Sequence, residues 1–221
     1  MSTSQGPNRK RGYSSRMRAE AAEDTRTRIL DAAKSLMGRR GIDKVTIADI
    51  AERAGVAAST VYAIYKSKEG ILRTLMEQSL FGGSFRSAQN MLDTVTDPVR
   101  LIELTSHVSR AIYESEMSDL GLLRHASGFS PALRKIEQEF ERMRYDMQET
   151  RIVALFDAGK ARSGLSLDTA RRILWMYTSR DVYRMLVQEG GWSPDRYQEW
   201  LSRTLLDTLV EGSDRALARS R

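Results

Sequence analysis

Hydrophobic side chains recur at three- and four-residue intervals along most of this chain, which is the spacing of one face of an α-helix. Long stretches lack the apolar–polar alternation of strands, and only four prolines interrupt the pattern. We therefore predict an all-α protein, with a kink at Gly82 and Gly83. Helices are expected over residues 23–38, 46–54, 58–65, 68–81, 84–95, 98–114, 117–126, 130–158, 168–189 and 194–210.

The stretch from Thr46 to Tyr65 is the most informative part of this pattern. Thr46 and Asp49 have the spacing of a capping box, in which the two residues satisfy each other's amide groups at the start of a helix. Gly55 can adopt the left-handed conformation that ends a helix. Two short helices joined in this way form a helix-turn-helix, whose second helix can enter a DNA major groove. A helical hairpin inside an ordinary bundle would have the same local pattern.

The flanking segments favour the DNA-binding interpretation. An amphipathic helix over residues 28–37 precedes the hairpin, and Ser67 is placed to cap another helix after it. Residues 26 to about 80 together resemble the DNA-binding domain of the TetR family of transcriptional regulators. The resemblance implies three helices plus a linking helix 4, followed by a C-terminal helical regulatory and dimerisation domain. By position it implies DNA contacts from Thr46, Ala58, Ser59, Thr60, Tyr62, Ala63 and Lys68.

Two positions depart from the family pattern. Ala57 stands where the family usually has a capping Ser, and Ile64 stands where it has a Tyr or His that can contact a phosphate. The second helix, residues 58–65, also contains no Arg, Asn or Gln, the side chains that pair bidentately with bases. Direct base readout from this helix would therefore rest on few contacts.

The positive charge is concentrated at the N-terminal end. The net charge is +6, and residues 1–81 hold 15 Lys or Arg against 9 Asp or Glu, so that they account for all of it. Cationic side chains supply most sequence-independent DNA affinity. Residues 1–22 are expected to form a flexible basic arm that contacts DNA, with a solvated tail as the alternative. The arm's candidate contacts are Arg9, Lys10, Arg11, Arg16 and Arg18.

The predicted organisation has four segments: the arm 1–22, the helix-turn-helix domain 23–68, a ligand-binding and dimerisation domain 69–213, and a polar tail 214–221. Two long apolar stripes near the C-terminus predict a homodimer through helix pairing. The expected interface residues are Leu174, Tyr177, Val182, Met185, Tyr197, Trp200, Leu201 and Leu205. The candidate pocket residues are Met91, His107, Tyr113, His125, Phe129, Phe140, Met143, Met147 and Trp175, most of which could equally be core.

Signals of catalysis are weak. The chain has no Cys, and its two His residues lie in no ligand motif, so no metal site or cofactor is predicted. No signal peptide or membrane-spanning run is recognisable, which favours a cytoplasmic protein. We expect a non-enzymatic regulator that binds double-stranded operator DNA as a homodimer, a repressor released by a small molecule. The alternatives are a DNA-binding regulator without a small ligand, and a helical binding protein or enzyme with a vestigial helix-turn-helix.

Overall fold

The computed structural model describes residues 8–127 and 130–212, with side chains at 16–115, 121 and 130–212. Helices dominate this part of the chain, and the isolated bridge between Ala161 and Val210 is its one element of β pairing, so the all-α prediction is confirmed. The helices are α1 (Asn8–Arg40), α2 (Ile47–Ala54), α3 (Ala58–Tyr65), α4 (Lys68–Leu80), α5 (Gly83–Asp93), α6 (Pro98–Ser127), α7 (Pro131–Met147), α8 (Glu149–Asp157), α9 (Leu167–Tyr177), α10 (Arg180–Tyr183) and α11 (Pro194–Leu209).

The chain divides into two compact units. The first comprises residues 1–75 and 122–133, and the second comprises residues 76–121 and 134–221. The division falls inside α4, later than the predicted boundary at residue 68, and assigns the end of α6 and the start of α7 to the N-terminal unit. This return is not predictable from the sequence, because the segment 122–133 is distant along the chain from the helix-turn-helix.

The first unit is held by apolar side chains from α1, α2, α3 and α4. Ile29 of α1, Ile50 of α2, Val61 of α3 and Ile71 of α4 are completely buried. Ser130, at the start of α7, donates a hydrogen bond from its hydroxyl to the carboxylate of Asp43 at 3.1 Å. These contacts fix α2 and α3 on the larger helices around them.

Helix α1 begins at Asn8, so the prediction that the helix starts at residue 23 after a non-helical arm is wrong for residues 8–22. Ala19, Ala21 and Ala22 are strong helix formers, and Arg16 and Glu20 form an ion pair of 3.0 Å one turn apart. Apolar periodicity predicts a helix only where one of its faces is buried. Residues Arg16 to Asp24 are exposed on all sides, and they extend a helix whose buried face begins near Ile29. Residues 1–7 and the predicted tail 214–221 lie outside the described residues.

The second unit differs from the prediction at three breaks. Helix α6 is continuous where two helices were expected, and Gln148 separates α7 from α8 where one was expected. The predicted helix 168–189 ends at Tyr177, and after α10 it continues as a π-helix over residues 184–189. Apolar periodicity persists across these breaks, so it could not locate them.

Thr178 explains the end of α9. Its buried hydroxyl accepts hydrogen bonds from Arg144 at 2.7 Å and Gln148 at 2.8 Å, and it donates to the carbonyl of Leu174 at 2.6 Å. Its carbonyl accepts the hydroxyl of Tyr113 at 2.8 Å instead of continuing the helical pattern. These bonds connect α6, α7 and α9 within the second unit.

Candidate functional site

The N-terminus of α2 is closed by the predicted capping box. The Asp49 amide donates to the Thr46 hydroxyl oxygen at 3.1 Å, and the Thr46 amide donates to the Asp49 carboxylate at 2.8 Å. The Thr46 hydroxyl also donates to that carboxylate at 2.7 Å, and these bonds hold the pKa of Asp49 below its ordinary value. The Thr46 hydroxyl hydrogen is therefore already used in a hydrogen bond to Asp49. The amides of Ile47 and Ala48 are the first-turn donors that could still bind a phosphate.

The turn after α2 is fixed by Gly55 and Arg28. Gly55 has φ 65° and ψ 40°, the left-handed conformation expected of the residue that ends this helix. The Arg28 guanidinium donates to the Ala54 carbonyl at 2.9 Å and to the Asp24 carboxylate at 3.1 Å. A cation on α1 thus satisfies the C-terminal end of α2, where the helix dipole is negative. The sequence analysis missed Arg28, which had no motif of its own.

Helix α3 has a buried side and a solvent side. Val61 and Tyr65 are buried, whereas Ser59, Tyr62 and Ala63 are exposed, with 53% of Tyr62 accessible. Thr60 is partly exposed, and Ala58 is exposed at the N-terminus. The structure therefore brings the predicted base-contacting residues together on one outward surface of α3. No side chain caps the helix at Ala57, as the departure from the family pattern implied.

Two lysines follow α3, and both are held by backbone carbonyls. Lys68 donates to the carbonyl of Ile42 at 2.9 Å, and Lys66 donates to that of Ala63, also at 2.9 Å. Each ammonium has three donors, so both retain capacity for a phosphate. Lys66 has φ 65°, an uncommon conformation for a residue with a side chain, which directs the chain sharply from α3 into α4.

The backbones of α3 and α4 approach each other closely at Gly70 and Tyr65. A Cβ atom added to Gly70 would lie 2.0 Å from the Tyr65 carbonyl oxygen, far inside van der Waals contact. The Gly70 amide donates to the Ser67 hydroxyl at 3.1 Å, which completes the start of α4. The position of the outward surface of α3 therefore depends on a glycine that no motif had indicated.

The basic arm is only partly described. Arg16 and Arg18 are exposed on α1, and Arg16 is paired with Glu20. The side chains of Arg9, Lys10 and Arg11 lie outside the described residues.

The predicted pocket residues are not brought together. Met91 and His107 line an open cleft of about 570 Å³ in the second unit. Tyr113 and Phe140 are buried, and Met143 and Met147 are exposed. Trp175 lies beneath the Arg144 guanidinium. The side chain of His125 and the whole of Phe129 are outside the described part of the structure. Of the predicted pocket residues, the described cleft thus brings together only Met91 and His107, and a pocket shared by the others stays a prediction.

The cleft is polar. It is lined by Ser84, Ser87, Ala88, Met91, His107, Arg110, Ala111, Glu114, Ser115 and Gln198. Arg110 is paired with Asp195 at 2.5 Å and with Glu114 at 3.1 Å. Partial burial lowers the pKa of His107, and the nearby Arg100 lowers it further. The Arg110 charge is thus already compensated.

A different cation in this unit is not compensated by any acidic group among the residues whose side chains are described. Arg151 of α8 is 9% exposed, and its guanidinium donates to the Thr105 hydroxyl at 3.2 Å and to the Gln89 side-chain oxygen at 3.3 Å. Both acceptors are neutral. Burial lowers the pKa of Arg151 to about 10, with no opposing contribution from an acidic group. The sequence offered one unused signal, a charge on the same helical face as the apolar Leu155 one turn later.

Half of the predicted dimer residues belong to the core of one chain. Leu174, Tyr197, Leu201 and Leu205 have no exposed surface, so they cannot contact a second copy and the interface prediction is wrong for them. Tyr177, Val182 and Trp200 are partly exposed, and Met185 is 49% exposed. An amphipathic stripe predicts burial, but the covering surface can be the same chain. Tyr197 instead contacts Tyr183, with ring centroids 4.8 Å apart.

Metal and membrane features are not found in the described chain. It contains no cluster of three or more His, Asp or Glu residues that could hold a metal ion. Among its helices, none is both long enough and apolar enough to cross a membrane.

Comparison with known proteins identifies the N-terminal segment. Residues 29–75 match the family model described as bacterial regulatory proteins, tetR family, which confirms the predicted resemblance. The regulator TtgR of Pseudomonas putida is 36% identical over 58 residues, 26% of this chain and 28% of the relative. The repressor KstR2 of Rhodococcus jostii is 31% identical over 105 residues, 43% of this chain and 51% of the relative. The chain thus spans about half or less of the length of these relatives.

Solved structures extend the likeness to the whole fold. NalD, described as the secondary repressor of the MexAB-OprM multidrug efflux pump in Pseudomonas aeruginosa, aligns with a TM-score of 0.67 at 22% identity, covering 86% of this chain and 98% of NalD. SmeT, the repressor of a multidrug efflux pump of Stenotrophomonas maltophilia, aligns with a TM-score of 0.61 at 23% identity, covering 86% and 93%. At this identity the likeness establishes the fold.

Proposed function

We propose that this chain, whose residues 29–75 match the TetR family of bacterial regulatory proteins, is a homodimeric repressor that a small molecule releases from operator DNA. The observation that carries the DNA-binding part is the outward surface of α3. It presents Ser59, Tyr62 and Ala63 on a helix that follows the turn held by Arg28 at the end of α2 and that lies close to Gly70 of α4.

The proposed contacts divide into two classes. Ser59, Thr60 and the Tyr62 hydroxyl offer hydrogen bonds to base edges, and Ala58 and Ala63 offer methyl contacts to thymine. The first-turn amides of α2 together with Lys68 contact phosphates, which position α3 without reading sequence. Because one short helix reads few bases, two copies on adjacent half-sites are required for useful specificity.

The dimer is proposed to form through the partly exposed residues near the C-terminus rather than through the core leucines. Met176 on α9 and Met185 on the π-helix are 48% and 49% exposed. Trp200 of α11 is partly exposed and contacts Trp192 and Tyr177 edge-to-face. These residues offer an apolar surface of the type that homodimers bury.

Release by an effector requires a ligand with different affinities for the DNA-bound and free conformations. Helix α4 supports this part of the proposal, because it begins in the first unit and ends in the second. A regulator controlled only by abundance or by a protein partner is the second candidate, and it predicts operator binding that no small molecule alters. In either case the protein acts where the chromosome lies, in the cytoplasm.

A gel-shift titration with the DNA flanking the protein's own gene tests the DNA-binding part. Tyr62→Ala should weaken binding to the specific fragment at least tenfold, about 1.4 kcal/mol, and leave binding to unrelated DNA unchanged. Met143→Ala, which truncates an exposed side chain in the other unit, is the matched control and should change neither. If the Tyr62 and Met143 variants bind the specific fragment with equal affinity, α3 is not the helix that recognises the base sequence.

Salt dependence tests the phosphate contacts. Lys68→Ala should lower the slope of log K against log salt by about 0.9, the contribution of one phosphate neutralised. Lys135→Ala removes one exposed cation from α7 and should leave the slope unchanged. A similar slope in both variants would show that Lys68 serves only to anchor α4 to the Ile42 carbonyl.

Light scattering tests the dimer. The wild type should have about twice the chain mass of 25.0 kDa, and Met185→Asp should reduce it to one chain because an isologous interface would bring the charge there twice. Met143→Asp, an equally exposed methionine on α7, should stay dimeric. A dimeric Met185→Asp variant would place the interface elsewhere.

A further inference from the structure

The second unit contains a buried positive charge that nothing in the described chain neutralises. Arg151 is nine-tenths buried, and every interaction it makes with described residues is with a neutral group. Buried charges in proteins are normally paired, because removing a charge from water without a partner is strongly unfavourable. An unpaired guanidinium in this position therefore requires a reason.

Its two partners orient the guanidinium without neutralising it. The Thr105 hydroxyl donates a hydrogen bond to the Leu101 carbonyl at 2.9 Å, so its oxygen can accept one from Arg151. Gln89 accepts from the other terminal nitrogen through its side-chain oxygen. Three helices, α5, α6 and α8, thus hold the planar fork in one position, which is the arrangement that pre-organises an arginine for an oxyanion.

The rest of each helix face is apolar. Leu92 is three residues from Gln89, Ile102 is three residues from Thr105, and Leu155 is four residues from Arg151, and all three are buried. Side chains at these spacings lie on the same face of a helix. The polar triad is therefore set among apolar rows, which favours a ligand with an apolar body and a single charged end.

Charge balance distinguishes between the possible oxyanions. One guanidinium supplies a single positive charge, which a carboxylate matches, whereas a phosphate group carries close to two negative charges at neutral pH. The neutral Thr105 and Gln89 cannot compensate a second charge. A monocarboxylate fits this site better than a phosphate ester.

We infer that Arg151, Gln89 and Thr105 form the recognition site for the carboxylate group of an effector with an apolar body. The inference rests on the proposed function, since it names the chemical class of the small molecule that would release the protein from DNA. It differs from the predicted pocket, because none of the candidate pocket residues belongs to this triad.

Thermal unfolding of the dimer with a defined series of probes tests the inference. Acetate, octanoate and dodecanoate provide carboxylates with bodies of increasing size, octanamide provides the uncharged counterpart, and octyl phosphate and inorganic phosphate provide the alternative anion. At least one carboxylate should raise the melting temperature in a concentration-dependent way, and octanamide should not. Equal stabilisation by octanamide, stronger stabilisation by either phosphate, or no effect of any carboxylate would overturn the inference.

Variants at Arg151 separate a ligand site from a structural role. Arg151→Met should bind the stabilising carboxylate roughly 10- to 100-fold more weakly, the loss expected for a hydrogen-bonded charge. Without ligand it should unfold at the same or a higher temperature than the wild type, because it removes a buried unpaired charge. A structural arginine predicts the opposite, a less stable protein with unchanged carboxylate binding. Arg203→Met, at an exposed position on α11, is the control.

If Arg151→Met does not fold, the variant Arg151→Lys can distinguish a ligand site from a structural role instead. It keeps the charge but loses the planar fork, so it should retain part of the carboxylate affinity. Full retention of carboxylate affinity would overturn the inference.

Operator binding separates this result from the proposed function. A wild type that binds its operator but is not stabilised by any carboxylate refutes only the inference, whereas a wild type that does not bind DNA refutes the proposed function.

Discussion

Replacing Gly70 with alanine tests how closely α3 is held against α4. The added Cβ would lie 2.0 Å from the Tyr65 carbonyl oxygen, whereas real Cβ contacts are essentially never shorter than 3.0 Å. The backbone must therefore separate by about 1 Å, and overpacking of this kind costs about 1–3 kcal/mol. Alanine is the better helix former by about 0.5–1 kcal/mol, which offsets part of this cost.

The net expectation for Gly70→Ala is a loss of up to about 2 kcal/mol of unfolding free energy, measured by urea denaturation. Gly121→Ala is the matched control, because Gly121 lies within α6 and an added Cβ there meets nothing within 4 Å. That variant should gain about 0.5–1 kcal/mol. The same chemical change is thus predicted to have opposite signs at the two positions.

DNA binding should report the same displacement. Hydrogen bonds weaken steeply once donor and acceptor separate beyond about 3.2 Å, so a shift of about 1 Å in α3 should remove the equivalent of one base contact. Operator affinity of Gly70→Ala should fall roughly tenfold or more, while Gly121→Ala keeps the wild-type value. If Gly70→Ala is as stable as Gly121→Ala and binds DNA normally, the close approach of the two helices does not control α3.

Three further predictions concern the N-terminal unit. Thr46→Ala should lose about 1 kcal/mol of unfolding free energy, and Thr46→Ser should restore it; equal stability of both would exclude the cap. The pKa of Asp49 is lowered in the fold, so its contribution should be complete above the ordinary value of 3.8 and disappear as the pH falls through the lower folded value, a loss that Asp49→Asn should abolish in acid-unfolding curves. Deleting residues 1–18 should weaken operator binding at moderate salt without changing the oligomeric mass; unchanged binding would make this segment a solvated extension.

The sequence predicted those parts of the fold whose determinants are local. The start of α2 follows from Thr46 and Asp49 and its end follows from Gly55, and each of these residues acts within one turn of its neighbours. The start of α11 follows from Ser193, whose hydroxyl caps the Arg196 amide at 3.1 Å, and from Pro194 at the first helical position. In each case one residue determines the conformation of its sequence neighbours, so the sequence alone is sufficient to predict the helix boundary.

The remaining features depend on partners far along the chain. The end of α9 follows from bonds between Thr178 and residues 30 or more positions away. Leu201 and Leu205 were assigned to a second copy because a stripe does not identify what covers it. The sequence does not single out Arg151 for the same reason, since only the fold reveals that the described chain supplies no acid to pair with it.

The early start of α1 changes how its cations can meet a DNA duplex. Successive residues of an α-helix are rotated by about 100°, so Arg16 and Arg18 point about 200° apart, to opposite sides of the same rod. A pliable arm could turn every cation toward one phosphate strand, whereas a rod held in one pose can present only one of these two. The salt slope lost on removing residues 16–18 should therefore correspond to about one phosphate rather than two.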